Sequence, residues 1–239
     1  MRCRKTARAS TLIIDRDLGA SVAALKLLVK TPYLETVDLE GFYKLAKPLG
    51  NDALSWTVLI DEEGQQLVST RLPFGETLPN GGNRDIVQKV MATQKLVVSD
   101  LQVGSVSKKQ SAALFLPGPA HGGKHDVVAQ AFAAEFFNDA VSQRSTPPGW
   151  VVGIMGRDGR FIARNHRAQE RVGQLARADL TAAARAEDVG LIRTRRSKAW
   201  TPTMPSSIRT LQDGRSPWLH RPIALKPRRA APSQLPPSV

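Results

Sequence analysis

Two groups of residues in this sequence have types and spacings that could carry out chemistry. His121 and His125 flank a Gly-Gly-Lys segment at the i, i+4 spacing that holds a metal ion when both lie on one helix. The intervening glycines predict a hairpin tip instead, and no third ligand is near in the sequence, so we expect turn residues and no metal. Glu62 and Glu63 are paired carboxylates, but they lie in a predicted turn, where solvated side chains are usual.

The serines and glycines also lack the contexts that enzymes need. Ser105, Ser107 and Ser111 are not surrounded by the G-x-S-x-G elbow of a nucleophile. The segment GNRDIVQ, residues 82–88, has neither the G-x-G-x-x-G nor the P-loop spacing, so a nucleotide site lacks support. The sequence therefore predicts no catalytic residues and no cofactor, and it favours a binding protein over an enzyme.

The net charge of +13 is concentrated at the two ends of the chain. Residues 1–9 carry four Lys or Arg side chains and no acid, and residues 193–239 carry ten against a single aspartate. Lys and Arg are balanced by Asp and Glu over residues 10–192, so this part lacks a basic stripe for a phosphate backbone. The single cysteine excludes an internal disulfide.

Residues 197–239 form a basic, proline-rich tail without the apolar period of a helix or a strand, which predicts disorder. The regular pattern of the preceding residues is lost after Thr194. A shifted reading frame over this segment would permit an amino-acid sequence in which apolar and polar residues alternate, as they do in a β-strand. We therefore hypothesise that the sequence beyond about Arg196 is out of frame, which the gene sequence would test.

An apolar stripe near the N terminus predicts a long amphipathic helix. Leu18, Val22, Leu25 and Val29 recur with the a and d spacing of a heptad within residues 11–30. The same seam is typical of a helix that pairs with a second copy of itself.

A hairpin pattern occurs twice in the chain. Residues 56–75, WTVLIDEEGQQLVSTRLPFG, alternate apolar and polar side chains around Gly64, and residues 150–164, WVVGIMGRDGRFIAR, do the same around Gly159. Gly64 is expected to supply a positive φ at its turn. Since a helix is predicted after each hairpin, the chain repeats a whole unit with a period of roughly 95 residues.

The long helix followed by these two units resembles a double Cache sensor domain, the PAS-like extracytoplasmic region of bacterial sensor histidine kinases, diguanylate cyclases and chemoreceptors. The motifs that carry the resemblance are VLIDEEGQQLVSTRLPFG, VVSDLQVG and PPGWVVGIMGRDGRFIARN. It implies an α+β fold with a long N-terminal helix and two tandem PAS-like lobes with antiparallel sheets, the second incomplete. The predicted parts are a helical region 1–50, a membrane-distal lobe 51–147, a truncated membrane-proximal lobe 148–196 and the tail 197–239.

The resemblance implies a non-catalytic, ligand-sensing domain on the periplasmic face of the inner membrane, and a homodimer formed through the N-terminal helix. Such receptors carry spanning helices and a kinase or cyclase output domain, and we expect neither within these 239 residues. Two alternatives remain open: a dimerisation module without a ligand, and a nucleic-acid-binding protein that uses the basic tail. The neutral body disfavours the second alternative.

In a Cache lobe, five residues of suitable chemistry would lie on strands and loops that face one another: Trp56, Arg71, Phe74, Asp100 and Ser111. Arg71 could bind a carboxylate through two hydrogen bonds and Asp100 could bind an amine, so the predicted ligand is a small, anionic molecule. A structural interpretation of the same residues has Trp56 in the core and Arg71 paired with Asp100. The several tyrosines by which family members bind amino acids are missing, since the chain has only two.

Overall fold

The computed structural model describes residues 2–51, 53–79, 83–121, 124–142, 151–186, 190–192 and 206–208. Its N-terminal part is helical and contains α1 (Arg2–Leu28), α2 (Pro32–Glu35), α3 (Leu39–Ala46) and a 3-10 turn (Lys47–Leu49). The first helix begins before the predicted stretch, because residues 2–11 continue the same helix. Asp38 caps α3 as its sequence position suggests: its side chain accepts a hydrogen bond of 2.8 Å from the Gly41 N–H.

Six antiparallel strands form the first sheet, in the order β2-β1-β6-β5-β3, with β4 also paired to β5. The strands are β1 (Ser55–Ile60), β2 (Gln66–Ser69), β3 (Val97–Val98), β4 (Gln102–Val103), β5 (Gln110–His121) and β6 (Lys124–Ala133). Helix α4 (Arg84–Thr93) lies between β2 and β3 in the chain, and α5 (Ala134–Ser142) follows β6. These elements establish an α+β fold with an N-terminal helix and an antiparallel sheet.

Both faces of this sheet are covered. All six residues of β1 are buried, and because successive side chains of a strand point to opposite faces, they supply two separate cores. Leu59 packs in the core that contains the apolar side chains of α1, α3 and α5. Trp56, Val58 and Ile60 pack in a second core with Val87 of α4.

A second hairpin follows, and its register is the same as that of the first. It consists of β7 (Val151–Met155) and β8 (Phe161–Arg164). Ile60 pairs with Gln66 in the first hairpin, and Met155 pairs with Phe161 in the second; each ladder shifts register at the preceding residue. Gly64 and Gly159 both have a positive φ, of 90° and 81°. The repeated phrase in the sequence is therefore a repeated local structure.

Further elements accompany the second hairpin. They are α6 (Ala168–Arg171), α7 (Ala178–Ala186), β9 (Gly190–Ile192) and β10 (Ser206–Ile208), and the sheet order is β8-β7-β10-β9. Strand β10 lies inside the predicted tail, so these three residues are paired where the sequence predicts disorder. The rest of the tail and the predicted linker, residues 145–149, lie outside the described residues.

The apolar stripe of α1 faces the protein's own core. Leu18, Val22 and Leu25 are buried there, and Val29 packs against the same cluster. This cluster also contains Ile154 and other side chains of the second hairpin, so one continuous core connects α1 with both hairpins. The stripe was expected to pair with a second copy of the chain, and that expectation is wrong for these residues, because the sheet already covers them.

Within the part of the chain that the structure describes, no helix combines the length and the apolar character needed to cross a membrane.

Two leucines of α1 give a matched test of this packing. Leu25 is fully buried and Leu27 is 70% exposed. We expect Leu25→Ala to lower the free energy of unfolding by about 2–5 kcal/mol, since it leaves a cavity between α1 and the sheet. Leu27→Ala should change it by less than about 0.5 kcal/mol. Urea unfolding followed by circular dichroism measures both values, and equal effects would contradict this orientation of α1.

Candidate ligand-binding cavity

A cavity of about 220 Å³ lies on the α4 face of the first sheet. Its apolar wall is formed by alternate residues of the three central strands, which all point to this face: Trp56, Val58, Ile60, Ala113, Phe115, Ala129 and Ala131. Ala113 and Ala131 are directly opposite each other across β5 and β6. The space exists because these short side chains do not fill the distance between the sheet and the segments above it.

The rest of the described lining includes several polar side chains. They belong to β2, to the start of α4 and to the β4–β5 region, namely Gln66, Asn83, Gln102, Ser105, Ser107 and Ser111. Nε2 of Gln66 donates a hydrogen bond of 2.9 Å to Oγ of Ser105, and Nε2 of Gln102 donates one of 2.6 Å to Oδ1 of Asn83. An apolar wall facing a few ordered polar groups is the usual form of a small-molecule site.

None of the described residues that line this cavity has an ionisable side chain. The cavity therefore offers hydrogen bonds and apolar contact to a ligand, and any charge on the ligand must reach a residue outside the lining. A buried charge without a partner is strongly unfavourable, so this property restricts where a charged group of a ligand can lie.

Arg71 lies next to the cavity wall. Its guanidinium carbon is 4.6 Å from the centroid of the Trp56 ring, a cation–π contact. Trp56 is 4% exposed and lines the cavity, whereas Arg71 is half-buried and is not part of the lining. Of the five residues proposed from the sequence, Trp56 and Ser111 line the cavity and Arg71 touches it through Trp56.

Phe74 lies elsewhere. It is 44% exposed, and its ring contacts that of Tyr43 at 5.5 Å between centroids. Both residues line a smaller cavity of about 120 Å³ next to α3, together with Leu39 and Leu67, which pack on the α1 side of the sheet. The structure thus does not bring Phe74 together with Trp56.

Asp100 connects the first sheet to the turn of the second hairpin. Its Oδ1 accepts a hydrogen bond of 2.8 Å from the Arg157 backbone N–H, and its Oδ2 is 3.5 Å from Arg157 Nε. The guanidinium of Arg157 also donates to the Val98 carbonyl at 2.5 Å. Asp100 therefore pairs with Arg157 and not with Arg71, and it is not among the cavity residues.

The two histidines lie on neighbouring strands. His121 is on β5 and His125 is on β6, one register position apart at the end of the hairpin, so the sequence spacing does not place them on one helix face. Among the residues that the structure describes, no group of three or more His, Cys, Asp or Glu side chains could hold a metal ion.

The most informative polar residue, Gln66, was missed because sequence alternation alone does not reveal a cavity. One signal was present in the repeat: the residue at the same register position of the second hairpin is Phe161. A buried polar residue is unusual at a position where the equivalent residue of the other hairpin is aromatic, so Gln66 indicates a specific role. The alanines of β5 and β6 were a second such signal, since they cannot fill a core by themselves.

No protein-family model and no curated protein sequence matches the chain. Solved structures do match. The ligand-binding domain of the Campylobacter jejuni chemoreceptor Tlp3 in complex with L-valine is 12% identical, with 78% of each chain covered and a TM-score of 0.56. The extracellular domain of a proposed histidine kinase, rpHK1S-Z16, is 13% identical, with 77% of this chain and 78% of that chain covered and a TM-score of 0.63.

A third similar structure is the ligand-binding domain of the Pseudomonas aeruginosa amino acid chemoreceptor PctB with L-Gln. It is 12% identical and covers 72% of this chain and 69% of that one, with a TM-score of 0.52. Identities this low establish the fold alone. The chain has the fold of these extracellular sensor domains, and the Cache-type resemblance that the sequence predicts is confirmed at that level.

The contact of Asp100 with Arg157 gives a test that separates a structural role from ligand binding. We expect Asp100→Ala to lower the free energy of unfolding by about 1–3 kcal/mol, because it leaves the Arg157 N–H without its acceptor. The control Asp139→Ala, on an exposed position of α5, should have little effect. Chemical denaturation measures both, and an unchanged stability of Asp100→Ala would contradict the structural role.

Proposed function

We propose that this chain, which has the fold of Cache-type extracellular sensor domains, is the ligand-sensing part of a bacterial transmembrane signal-transduction receptor. The observation that carries the proposal is the cavity on the α4 face, with its apolar strand wall and its ordered polar side. The domain is non-catalytic in itself. It would lie on the periplasmic side of the inner membrane and pass its signal to a histidine kinase or diguanylate cyclase output domain.

The two hairpins support an architecture of two tandem PAS-like units along α1. The first unit has a complete sheet with a helix on each face, and it holds the cavity. The second unit is proposed to be incomplete after Thr194, where the sequence pattern is lost. The identical register of the two hairpins is the feature that favours this repeat over a single irregular sheet.

The ligand is proposed to be a small molecule with an anionic group near Arg71. The cavity lining has no ionisable side chain, so a carboxylate would bind where the guanidinium is held against the Trp56 ring. Binding shifts the receptor only by the difference in affinity between its two states.

Arg71 provides the test of the proposed function. Thermal shift measurements with a library of small carboxylates should identify ligands that raise the melting temperature of the unaltered chain; a ligand at a hundred times its Kd contributes about 2.7 kcal/mol. Arg71→Ala should abolish this shift while the unliganded melting temperature stays within a few degrees. The exposed Arg171→Ala is the matched control and should retain the shift.

The possible results are distinguishable. If Arg71→Ala unfolds the chain, Arg71 is structural and the anionic site is assigned wrongly. If no library member stabilises the unaltered protein, the sensing function is refuted and a dimerisation module becomes the better interpretation. Binding of DNA or RNA that disappears when residues 197–239 are deleted would favour the nucleic-acid alternative instead.

A homodimer through α1 remains part of the proposal, but it would use the other face of the helix. Leu12 and Leu27 are 68% and 70% exposed, and the exposed small residues Ala20 and Ala23 lie between them. Short side chains allow two helices to approach closely, and the two leucines would then pack against the partner helix at the ends of this stretch. A symmetric dimer needs only this one self-complementary surface.

The oligomeric state tests this surface. Sedimentation equilibrium should give a dimer for the unaltered chain and a monomer for the double variant Leu12→Glu and Leu27→Glu, because it places a charge at both apolar ends of the contact. Leu45→Glu, at an exposed leucine of α3, should stay dimeric. A monomeric unaltered chain, or a dimer in the double variant, would show that α1 does not form the interface.

A further inference from the structure

Gln66 has a buried hydrogen-bond acceptor that the protein itself does not use. The residue is 7% exposed, and its side chain lines the cavity. Its Nε2 donates to Oγ of Ser105, and this hydrogen bond anchors the end of the side chain. Its Oε1 is buried and accepts no hydrogen bond from any described residue. Buried polar atoms are nearly always paired, so an unpaired acceptor on a side chain that lines a cavity indicates a ligand.

Packing does not explain the choice of glutamine at this position. In the second hairpin the same register position is held by Phe161, which is 6% exposed and whose ring contacts the guanidinium of Arg164 at 5.2 Å. The hairpin therefore accepts a large apolar side chain here. A glutamine with one unpaired buried atom is less favourable for stability than such a residue. The first hairpin has this less stable residue at a position that lines the cavity.

We propose that Oε1 of Gln66 accepts a hydrogen bond from a neutral O–H or N–H donor of the ligand, and that Gln66 thereby determines specificity. This inference rests on the proposed ligand-sensing function. The ligand class is a small organic acid that carries a hydroxyl, an amide or a ring N–H at the end opposite its carboxylate.

The donor is neutral because the described lining has no acid to balance a cation. The described cavity residues include no carboxylate. Asp100, which the sequence suggested as an amine anchor, is outside the lining and is hydrogen-bonded to Arg157. An ammonium group placed beside Gln66 would lose its hydration without gaining an ion pair, which is strongly unfavourable.

The length of the cavity accommodates both ends of such a ligand. Trp56 and Ile60 both line the wall, near opposite ends of β1, and their Cα atoms are about 13 Å apart at the usual rise of a strand. Arg71 contacts Trp56, and Gln66 is the cross-strand partner of Ile60. A carboxylate at the Arg71 end and a donor at the Gln66 end are therefore compatible with one extended small molecule.

The experiment compares three series of acids on the full chain by thermal shift and by isothermal titration calorimetry. The probes are butyrate, pentanoate and hexanoate, their ω-hydroxy derivatives and their ω-amino derivatives. We expect the best ω-hydroxy acid to bind about tenfold or more tightly than the acid of the same length without the hydroxyl, because the latter displaces water from Oε1 and leaves it unpaired. The ω-amino acids should bind most weakly.

Gln66→Met keeps the length of the side chain and removes the acceptor. In this variant the hydroxy and unsubstituted acids should bind equally, whereas Gln169→Met, the same change at an exposed position of α6, should preserve the preference. Circular dichroism at matched temperature verifies that both variants are folded; if Gln66→Met is not folded, Gln66→Leu replaces it.

The outcomes separate the two proposals. If acids bind the unaltered chain but the hydroxyl gives no advantage, or if Gln66→Met retains the advantage, the assignment of Gln66 is overturned and the sensing function stands. Tighter binding of the ω-amino acids overturns the neutral donor. If none of the nine acids binds, the assignment of Gln66 falls, and the carboxylate library described above then decides separately whether the sensing function falls with it.

Discussion

The ladder between β1 and β6 is the interaction on which the rest of the structure depends. Six consecutive residue pairs, from Ser55 with Phe132 to Ile60 with Val127, join these strands in the middle of the sheet. Side chains on both of their faces are buried, so each face needs a covering layer of its own. Helices α1, α3 and α5 provide one layer, and α4 provides the other.

The two layers differ in completeness, and this difference creates the candidate site. On the α1 side, large side chains such as Phe42 and Phe137 fill the core. On the α4 side, one helix of ten residues covers strands that present alanines, which leaves a cavity bordered by a polar segment. A cavity of this kind lowers stability relative to a filled core. Such a loss is commonly found where a protein keeps space and unpaired polar groups for binding.

The same two-sided sheet brings the cavity close to α1. Val58 faces the cavity, and its neighbour Leu59 packs in the core that contains Leu18 and Leu25 of α1. That core continues into the second hairpin through Ile154 and Ile162. Contiguous packing is a physical route by which a rigid helix can shift against the sheet when the cavity is occupied. It becomes a signalling route only if ligand binding favours one of two arrangements, since proximity alone carries no coupling energy.

Local patterns in the sequence determined the elements. Heptad spacing predicted α1, and Gly64 predicted a turn with a positive φ, because each of these signals depends on neighbours within a few residues. The partners of the buried faces required the tertiary structure. It placed the stripe of α1 on the sheet instead of on a second helix, paired Asp100 with Arg157 and brought Gln66 to Ser105 across 39 residues. A residue's type states which contacts it can make, but only the folded chain decides which of them are within reach, and so only the structure separated Trp56 and Ser111, which line the cavity, from Phe74 and Asp100, which do not.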